Sequence, residues 1–311
     1  MSPIGKSMIR HSYRVLIGVS LFCLAIALTN DLGWAKTQTQ KPSHRRFSNS
    51  VSDKNKNSHK LILRSAAALV EDQETGECLV EKQATVVVPI ASITKLMTAM
   101  VVLDAGINLE ESLIIDSRDT DTLRHSHSRL PIGSNITRRD ALLVALMASD
   151  NRAASALGRT YPGGSAVFVE AMNAKAKALG LTETYFVDST GLSNRNVSSA
   201  RDLARLVDAA YRYTLIREFT TCKKALIFNG RRYIAFHNTN RLIQNPRWQI
   251  GLSKTGFIGE AGRCLVMQAN VAKRPILIVL LDSQGRLTRV GDANRIKQWL
   301  EGPFSPKTRR G

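Results

Sequence analysis

A serine and a lysine three residues apart form the pair with the clearest chemical potential in this chain of 311 residues. Ser92 and Lys95 belong to the only Ser-x-x-Lys tetrad, and the apolar residues that follow recur at helical spacing. Side chains three apart share one face of a helix, so the hydroxyl and the amine should be neighbours. A serine becomes nucleophilic when an adjacent base takes its proton, and a buried lysine near a second cation can be that base. The pair predicts a nucleophilic serine; the competing interpretation is a capped helix with a surface lysine.

Two further motifs follow in order and favour the catalytic interpretation. Ser149-Asp150-Asn151 stands at the start of an alanine-rich segment, and Lys254-Thr255-Gly256 precedes an apolar stretch that is typical of a strand. Each motif occurs once. Together with Ser-x-x-Lys they form the set found in class A β-lactamases and penicillin-binding proteins. The ordered set is much more specific than any one of its members.

We expect the three motifs to meet in a cleft, where each side chain has a part in acyl transfer. Ser92 would attack and Lys95 would accept its proton, while the charge of Lys254 lowers the pKa of Lys95. The Ser149 hydroxyl can bridge Lys254 and the leaving nitrogen and so relay a proton. Asn151 can hydrogen-bond both Lys95 and a substrate amide without adding a charge.

The strand that carries Lys-Thr-Gly should be an edge strand, because an extended peptide can then pair with it. Gly256 would let the strand backbone approach closely. The backbone N–H groups of Ser92 and Phe257 would form an oxyanion site, which is worth roughly 3 kcal/mol per donor.

Longer segments around these motifs resemble the low-molecular-mass penicillin-binding proteins, and among them the soluble D-alanyl-D-alanine endopeptidases. The similar segments are residues 89–105, 146–164, 188–203, 237–242 and 252–267, within a resemblance that covers about residues 62–302. The resemblance implies a periplasmic serine peptidase that cuts D-alanyl–diaminopimelate cross-links of peptidoglycan and that β-lactams inhibit covalently. It implies no cofactor and no metal.

The same resemblance implies roles for individual residues. The catalytic set is Ser92, Lys95, Ser149, Asn151 and Lys254. The substrate-binding set is Thr255, Gly256, Phe257 and Arg289. In relatives an arginine after the final strand shares the substrate carboxylate with Thr255; Arg289 is our match, and Arg286 is the alternative.

Three other functions compete with the endopeptidase. A DD-carboxypeptidase that releases terminal D-alanine would use the same residues, although such relatives carry a second β domain and an amphipathic anchor. Asp150 matches class A β-lactamases, but the chain has no Glu-x-x-Leu-Asn pentad. We therefore expect slow loss of penicillin from Ser92. A non-catalytic wall-binding protein would have no need of Lys95.

Strand patterns at both ends and helical patterns in the middle predict an α+β domain of the β-lactamase/transpeptidase-like class. The strands should form an antiparallel sheet that joins the two ends of the domain, with a helical subdomain inserted. We expect strands over 61–70, 77–80, 226–228, 231–237, 252–255, 263–271 and 275–282. Helices should begin at Ser92, after Thr137, near Ser149, at Ser165, after Ser199 and near Asp292.

The ends of the chain have a different composition. Residues 1–35 have the basic, apolar and small-residue plan of a cleavable signal peptide, with an uncleaved anchor as the alternative. Residues 36–60 should be a disordered basic linker, residues 61–302 the catalytic domain, and residues 303–311 a disordered basic tail. The formal net charge is +19, so the basic linker could contact an anionic envelope, although it could equally be a solubilising spacer. No nucleic-acid motif accompanies this charge.

Cysteine and histidine are less informative. After removal of the signal the cysteines are Cys78, Cys222 and Cys264, and spacing cannot choose between one disulfide and three thiols. His125 and His127 are two residues apart, but no carboxylate or cysteine completes a metal-ligand pattern. We interpret their segment as a solvated loop.

Overall fold

Strands lie at both ends of the described part of the chain, and most of the helices lie between them. The computed structural model describes residues 61–302. The strands are β1 Ala67–Asp72, β2 Cys78–Lys82, β3 Val88–Pro89, β4 Ser112–Ile114, β5 Asn135–Thr137, β6 Val197–Ser198, β7 Lys224–Phe228, β8 Tyr233–His237, β9 Gln249–Ile258, β10 Gly262–Val271 and β11 Arg274–Ser283. The helices are α1 Thr94–Asp104, α2 Arg138–Met147, α3 Asn151–Arg159, α4 Gly164–Ala178, α5 Ala200–Tyr211, α6 Thr214–Thr221 and α7 Thr288–Glu301.

Five strands from the two ends of this region form one antiparallel sheet. Its order is β2-β1-β11-β10-β9, and Val70 of β1 pairs with Ile278 of β11. The predicted joining of the two ends is therefore confirmed. β9 lies at the edge of the sheet, so Lys254, Thr255 and Gly256 are on an edge strand, as the sequence predicted.

Both faces of the sheet are covered, which explains why its central strands are almost continuously apolar. Leu277, Val279 and Leu281 of β11 pack in the core shared with the helical layer, including α5. The alternate residues Ile276, Ile278 and Leu280 pack on the opposite face with Ile296 and Leu300 of α7. This period of two is what a strand between two helical layers requires.

The helices begin where polar caps stand in the sequence. The side chains of Thr137, Asp150 and Ser199 accept hydrogen bonds from backbone N–H groups in the first turns of α2, α3 and α5. The predicted caps of α2 and α5 are thus present. Asp150 has a structural role as the cap of α3, and its side chain also accepts a hydrogen bond of 2.8 Å from Ser128.

Some local predictions were wrong. Ser92 lies in a 3₁₀ turn, Ala91–Ile93, directly before α1 rather than in an α-helix. β1 begins at Ala67 rather than Leu61. Helix α6 was not among the predicted helices, although the spacing of its buried residues Ile216, Phe219 and Thr220 is helical.

A buried carboxylate ties the first described residues to α7. Asp292 accepts hydrogen bonds from Arg64 N–H, Ser65 N–H and the Ser65 hydroxyl, and it contacts Arg295. Burial alone would raise the pKa of this carboxyl, but the hydrogen bonds outweigh it and hold the pKa below 3.8. The start of the domain is thereby held to its last helix.

Among residues 61–302, no helix has the length and apolar character needed to cross a membrane. The predicted signal peptide, basic linker and basic tail lie outside the described residues. The three cysteines within them are free thiols: Cys78 is exposed, Cys222 is half-buried and Cys264 is buried.

Candidate active site

The turn that carries Ser92 is held in an unusual conformation by a neighbouring loop. Ala91 has φ +49°, in the left-handed region that costs a non-glycine residue about 1–2 kcal/mol. Gly191, with φ +79°, lies so close that an added Cβ would be 2.0 Å from the Ala91 carbonyl oxygen. The loop around Gly191 therefore packs directly on the turn, which supports the strained backbone beside Ser92.

Lys95 lies beside Ser92, as the spacing predicted. Its Nζ is 2.9 Å from Ser92 Oγ, 2.7 Å from Asn151 Oδ1 and 2.6 Å from the Thr190 carbonyl oxygen. A neutral amine has two N–H groups and one lone pair. It can therefore donate to Asn151 and Thr190 and accept from the Ser92 hydroxyl, which leaves none of the three contacts unmatched.

Burial lowers the pKa of Lys95 to about 7, although Asp188, Asp150 and Asp121 oppose that shift with their negative charges. The side chain is only 1 % exposed. Removing an ammonium group from water disfavours its charged form, which moves the pKa in this direction. About half of the molecules would carry a neutral Lys95 at pH 7.

Lys254 lies at the same site and binds the second serine. Its Nζ donates to Ser149 Oγ at 2.9 Å and to the Thr255 carbonyl at 3.0 Å. Burial lowers the pKa of Lys254 well below its ordinary value, and the charges of Lys95 and Arg289 lower it further. Repulsion between the two ammonium groups favours a site in which only one of them holds a proton.

The sequence predicted a lowered pKa at Lys95 and assigned it to the charge of Lys254. In the structure burial is the largest cause of the lowered pKa of Lys95, and repulsion between the two lysines also lowers the pKa of Lys254. The sequence could not reveal the burial, because it does not show that Lys95 is fully enclosed.

Ser149 and Asn151 are placed by the junction between α2 and α3. Ser149 has φ +61°, a strained value for a serine, and Asp150 then caps α3. Asn151 is the first residue of α3, with its Oδ1 towards Lys95 and its Nδ2 donating to Ser126 Oγ at 2.7 Å. The sharp junction therefore turns both side chains towards the lysines.

The edge strand β9 passes very close to the turn of Ser92. A Cβ added to Gly256 would lie 2.8 Å from the Ile90 carbonyl oxygen and 3.2 Å from the backbone nitrogen of Ser92. Only glycine permits that approach. The residue beside the Ser92 backbone is therefore the one directly before Phe257, which is itself 55 % exposed.

Thr255 lies on β9, and Arg289 at the start of α7 contacts the same strand. The Thr255 hydroxyl is 2.7 Å from that of Thr239, and Arg289 donates to the carbonyl oxygens of Gly256 and Cys264 at 2.9 and 2.8 Å. Arg286, the alternative arginine, is exposed in the preceding loop. Of the two, Arg289 is the one beside the Lys-Thr-Gly strand.

The structure adds groups that the motifs did not identify. The Thr190 carbonyl contacts Lys95, and the Asp188 carboxylate orients its loop by accepting from the N–H groups of Thr190 and Gly191, both at 2.6 Å. Ser126 and Thr239 contact predicted site residues. The Asp-Ser-Thr-Gly turn signal was visible in the sequence, whereas the other contacts depend on long-range packing.

The sequence of the chain matches a known family over most of its length. Residues 53–285 match the peptidase S11 family, described as D-alanyl-D-alanine carboxypeptidase. The chain belongs to this family. The expected relationship to serine DD-peptidases is thus confirmed, and the chain is a serine peptidase of this class.

Relatives in the S11 family include two D-alanyl-D-alanine endopeptidases. That of Pseudomonas aeruginosa is 52% identical over 241 residues, which are 77% of this chain and 78% of the relative. That of Escherichia coli is 45% identical over 239 residues, covering 76% and 77%. The chain is therefore similar to D-alanyl-D-alanine endopeptidases, as its motifs predicted.

Solved structures confirm the fold class. The DD-transpeptidase of a Streptomyces strain superposes with a TM-score of 0.71 at 27% identity, covering 76% of this chain and 97% of that one. Penicillin-binding protein D2 of Listeria monocytogenes, in its cefotaxime-bound form, gives 0.69 at 28% identity, covering 78% and 99%. The predicted β-lactamase/transpeptidase-like α+β fold is therefore correct.

Proposed function

We propose that this S11-family peptidase is a DD-endopeptidase that cleaves D-alanyl cross-links of peptidoglycan through an acyl-enzyme on Ser92. The observation that carries the proposal is the enclosed contact of 2.9 Å between Lys95 Nζ and Ser92 Oγ, at a lysine whose pKa is about 7. The two relatives of 52% and 45% identity, both named D-alanyl-D-alanine endopeptidase, favour the cross-link as the substrate.

In acylation, neutral Lys95 takes the proton of the Ser92 hydroxyl while Oγ attacks the D-alanyl carbonyl carbon. The N–H groups of Ser92 and Phe257 stabilise the oxyanion. When the tetrahedral intermediate collapses, the carbonyl–nitrogen bond breaks and the leaving amine gains a proton. Ser149, hydrogen-bonded to Lys254, relays that proton from Lys254 to the amine. The proton that Lys95 took from Ser92 then replaces it on Lys254, which leaves Lys95 neutral.

In deacylation the same groups work on water. Neutral Lys95 accepts a proton from a water molecule while the water oxygen attacks the ester carbonyl carbon. The Ser92 oxygen leaves and recovers a proton, and the product is a stem peptide that ends in D-alanine. A penicillin would acylate Ser92 by the same route, which makes β-lactams covalent inhibitors.

Substrate recognition follows from the edge strand. An extended stem peptide can pair with β9, and Asn151 can turn its amide from Ser126 towards a substrate carbonyl. Thr255 and Arg289 lie where they could bind the carboxylate next to the cleaved bond. A DD-carboxypeptidase would use the same contacts, and the family description favours it as the second candidate.

Digestion of purified muropeptides separates these activities. The endopeptidase proposal expects monomers from cross-linked dimers, whereas a carboxypeptidase releases D-alanine from pentapeptide monomers. A β-lactamase would turn over a chromogenic cephalosporin rapidly, and a wall-binding protein would do none of these. Ser92→Ala should abolish cleavage and the mass gain of one penicillin, while Ser117→Ala, which changes an exposed serine that is none of the proposed site residues, should change neither. Adduct retained by Ser92→Ala would refute the nucleophile.

We further propose export to the periplasm with removal of residues 1–35, followed by the basic linker 36–60, the catalytic domain 61–302 and the basic tail 303–311. An excess of Lys and Arg in the linker would favour contact with an anionic envelope. Mass spectrometry of the exported protein tests the cleavage, with Lys36 expected at the new N-terminus. Co-sedimentation with purified cell walls, with and without the linker, tests the contact; equal sedimentation would exclude it.

A further inference from the structure

A wide cavity lies directly beside Asn151 and is not used by the chemistry described above. Its volume is about 640 Å³, and Ser126, which accepts the hydrogen bond from Asn151 Nδ2, is part of its wall. Since Asn151 also contacts Lys95, the cavity begins one side chain away from the reacting pair. A substrate that reaches Ser92 past Asn151 would extend into it.

The wall of this cavity is strongly basic. Three arginines line it, together with two histidines: Arg129, Arg152, Arg232, His125 and His127. None of the three arginines forms an ion pair with a carboxylate of residues 61–302. Arg152 donates to the Leu130 carbonyl at 2.6 Å, whereas Arg129 and Arg232 are exposed. Their guanidinium groups are therefore available to an anion.

Asp121 is the one acidic residue in the wall, and its charge is already engaged. Its carboxylate accepts hydrogen bonds of 2.9 Å from the backbone N–H groups of Leu123, Arg124 and Ser126. These bonds close the loop that carries the two histidines. The acid thus shapes the cavity without pairing with its arginines.

We propose that this cavity, the arginine pocket, binds a free carboxylate of the stem peptide upstream of the D-alanyl bond that is cleaved. The inference rests on the proposed function, in which the substrate is a stem peptide. Where a stem peptide is linked through a γ-carboxyl or a side-chain amine, the α-carboxylate of that residue stays free. Planar guanidinium groups bind carboxylates through paired hydrogen bonds. The pocket would select anionic stems over amidated ones.

The test compares two synthetic cross-linked peptide dimers that differ only in whether their upstream carboxylates are free or amidated. The enzyme is the full mature chain, and cleavage is followed by chromatography. The variants are Arg232→Gln and Arg129→Gln/Arg232→Gln, whose exposed side chains hold no part of the core. Arg231→Gln is the matched control, because it removes the same charge from the adjacent exposed residue, which does not line the pocket.

Wild type should cleave the free-acid dimer with a kcat/KM about tenfold above that of the amidated dimer, and the double variant should lose that preference. Acylation by benzylpenicillin, which is too small to carry an upstream stem, should be unchanged in every variant. Equal cleavage of both dimers by wild type, or an equal loss in Arg231→Gln, would refute the pocket while leaving the endopeptidase intact. Cleavage of neither dimer by wild type would refute both proposals.

Discussion

Replacement of Lys95 by arginine tests the base directly. Arginine keeps the positive charge and the hydrogen-bond donors, but its pKa lies so far above neutrality that it cannot release a proton at pH 7. If neutral Lys95 is what activates Ser92, Lys95→Arg should slow acylation by about 10² to 10⁴, the usual contribution of a general base. The wild-type rate should also follow the titration of the lysine.

The magnitude of the pH effect follows from the surroundings of Lys95. With its pKa lowered to about 7, about half of the molecules are reactive at pH 7, whereas an ordinary lysine of pKa 10.5 would be neutral in about one molecule in 3000. Because the neutral form is the active one, activity rises with pH through 7. At pH 5 only about one molecule in a hundred is neutral, so acylation should be about fiftyfold slower than at pH 7.

The assay is the rate of covalent labelling by a fluorescent penicillin from pH 5 to 9, at concentrations well below saturation. Lys224→Arg is the matched control, since Lys224 is exposed on β7 and is none of the proposed site residues. Thermal unfolding of each variant establishes that it is folded. A flat wild-type profile between pH 5 and 8, or a Lys95→Arg rate within tenfold of wild type, would show that Lys95 is not the base.

Three further predictions concern the glycine beside the nucleophile, the carboxylate-binding arginine and the buried carboxylate of α7. Gly191→Ala should lower the free energy of unfolding, measured in denaturant, by at least about 2 kcal/mol more than Gly164→Ala does, and it should also slow acylation. The two glycines have similar φ values of +79° and +78°, but of the two only Gly191 lies where an added Cβ would clash. Equal losses of unfolding free energy in the two variants would exclude the close packing. Arg289→Ala should lower kcat/KM for a cross-linked peptide dimer by about 10- to 100-fold while Arg286→Ala stays within about twofold, and the reverse ranking would exchange their roles. Asp292→Asn should lower the free energy of unfolding by about 2 to 4 kcal/mol at pH 7. Since the folded-state pKa of that carboxyl lies below its ordinary 3.8, its stabilisation is complete above about pH 4 and declines as the pH falls towards the folded value, so a difference that did not decrease on acidification below pH 4 would contradict the assignment.

The chemistry of this protein was readable from short motifs because each depends on local spacing. Lys95 follows Ser92 by three positions, and the 3₁₀ turn that leads into α1 still brings their side chains together. The strand around Lys254 was also expected at an edge of the sheet, where a peptide could pair with it, and the sheet order confirms this position. Local periodicity and capping signals predict which element carries a motif, and that prediction stays correct when the element boundary is wrong by one or two residues.

The tertiary structure decided how the site is enclosed and charged. It placed the Thr190 carbonyl on Lys95 and so gave a neutral amine a partner for each of its N–H groups. It also buried Lys95, and this desolvation is the largest cause of the lowered pKa of that lysine. Desolvation depends on every side chain packed around a group, and those side chains come from distant parts of the chain.

The arginine pocket is the clearest case of what the sequence could not show. The sequence alone presented the segment around His125 and His127 as a solvated loop, with Arg152 and Arg232 on unrelated elements. Folding brings α3, the loop and the β7–β8 hairpin around one cavity beside Asn151. Residue types and spacing therefore indicated the reaction. Long-range packing determined the pKa of the base and the residues that would line the substrate site.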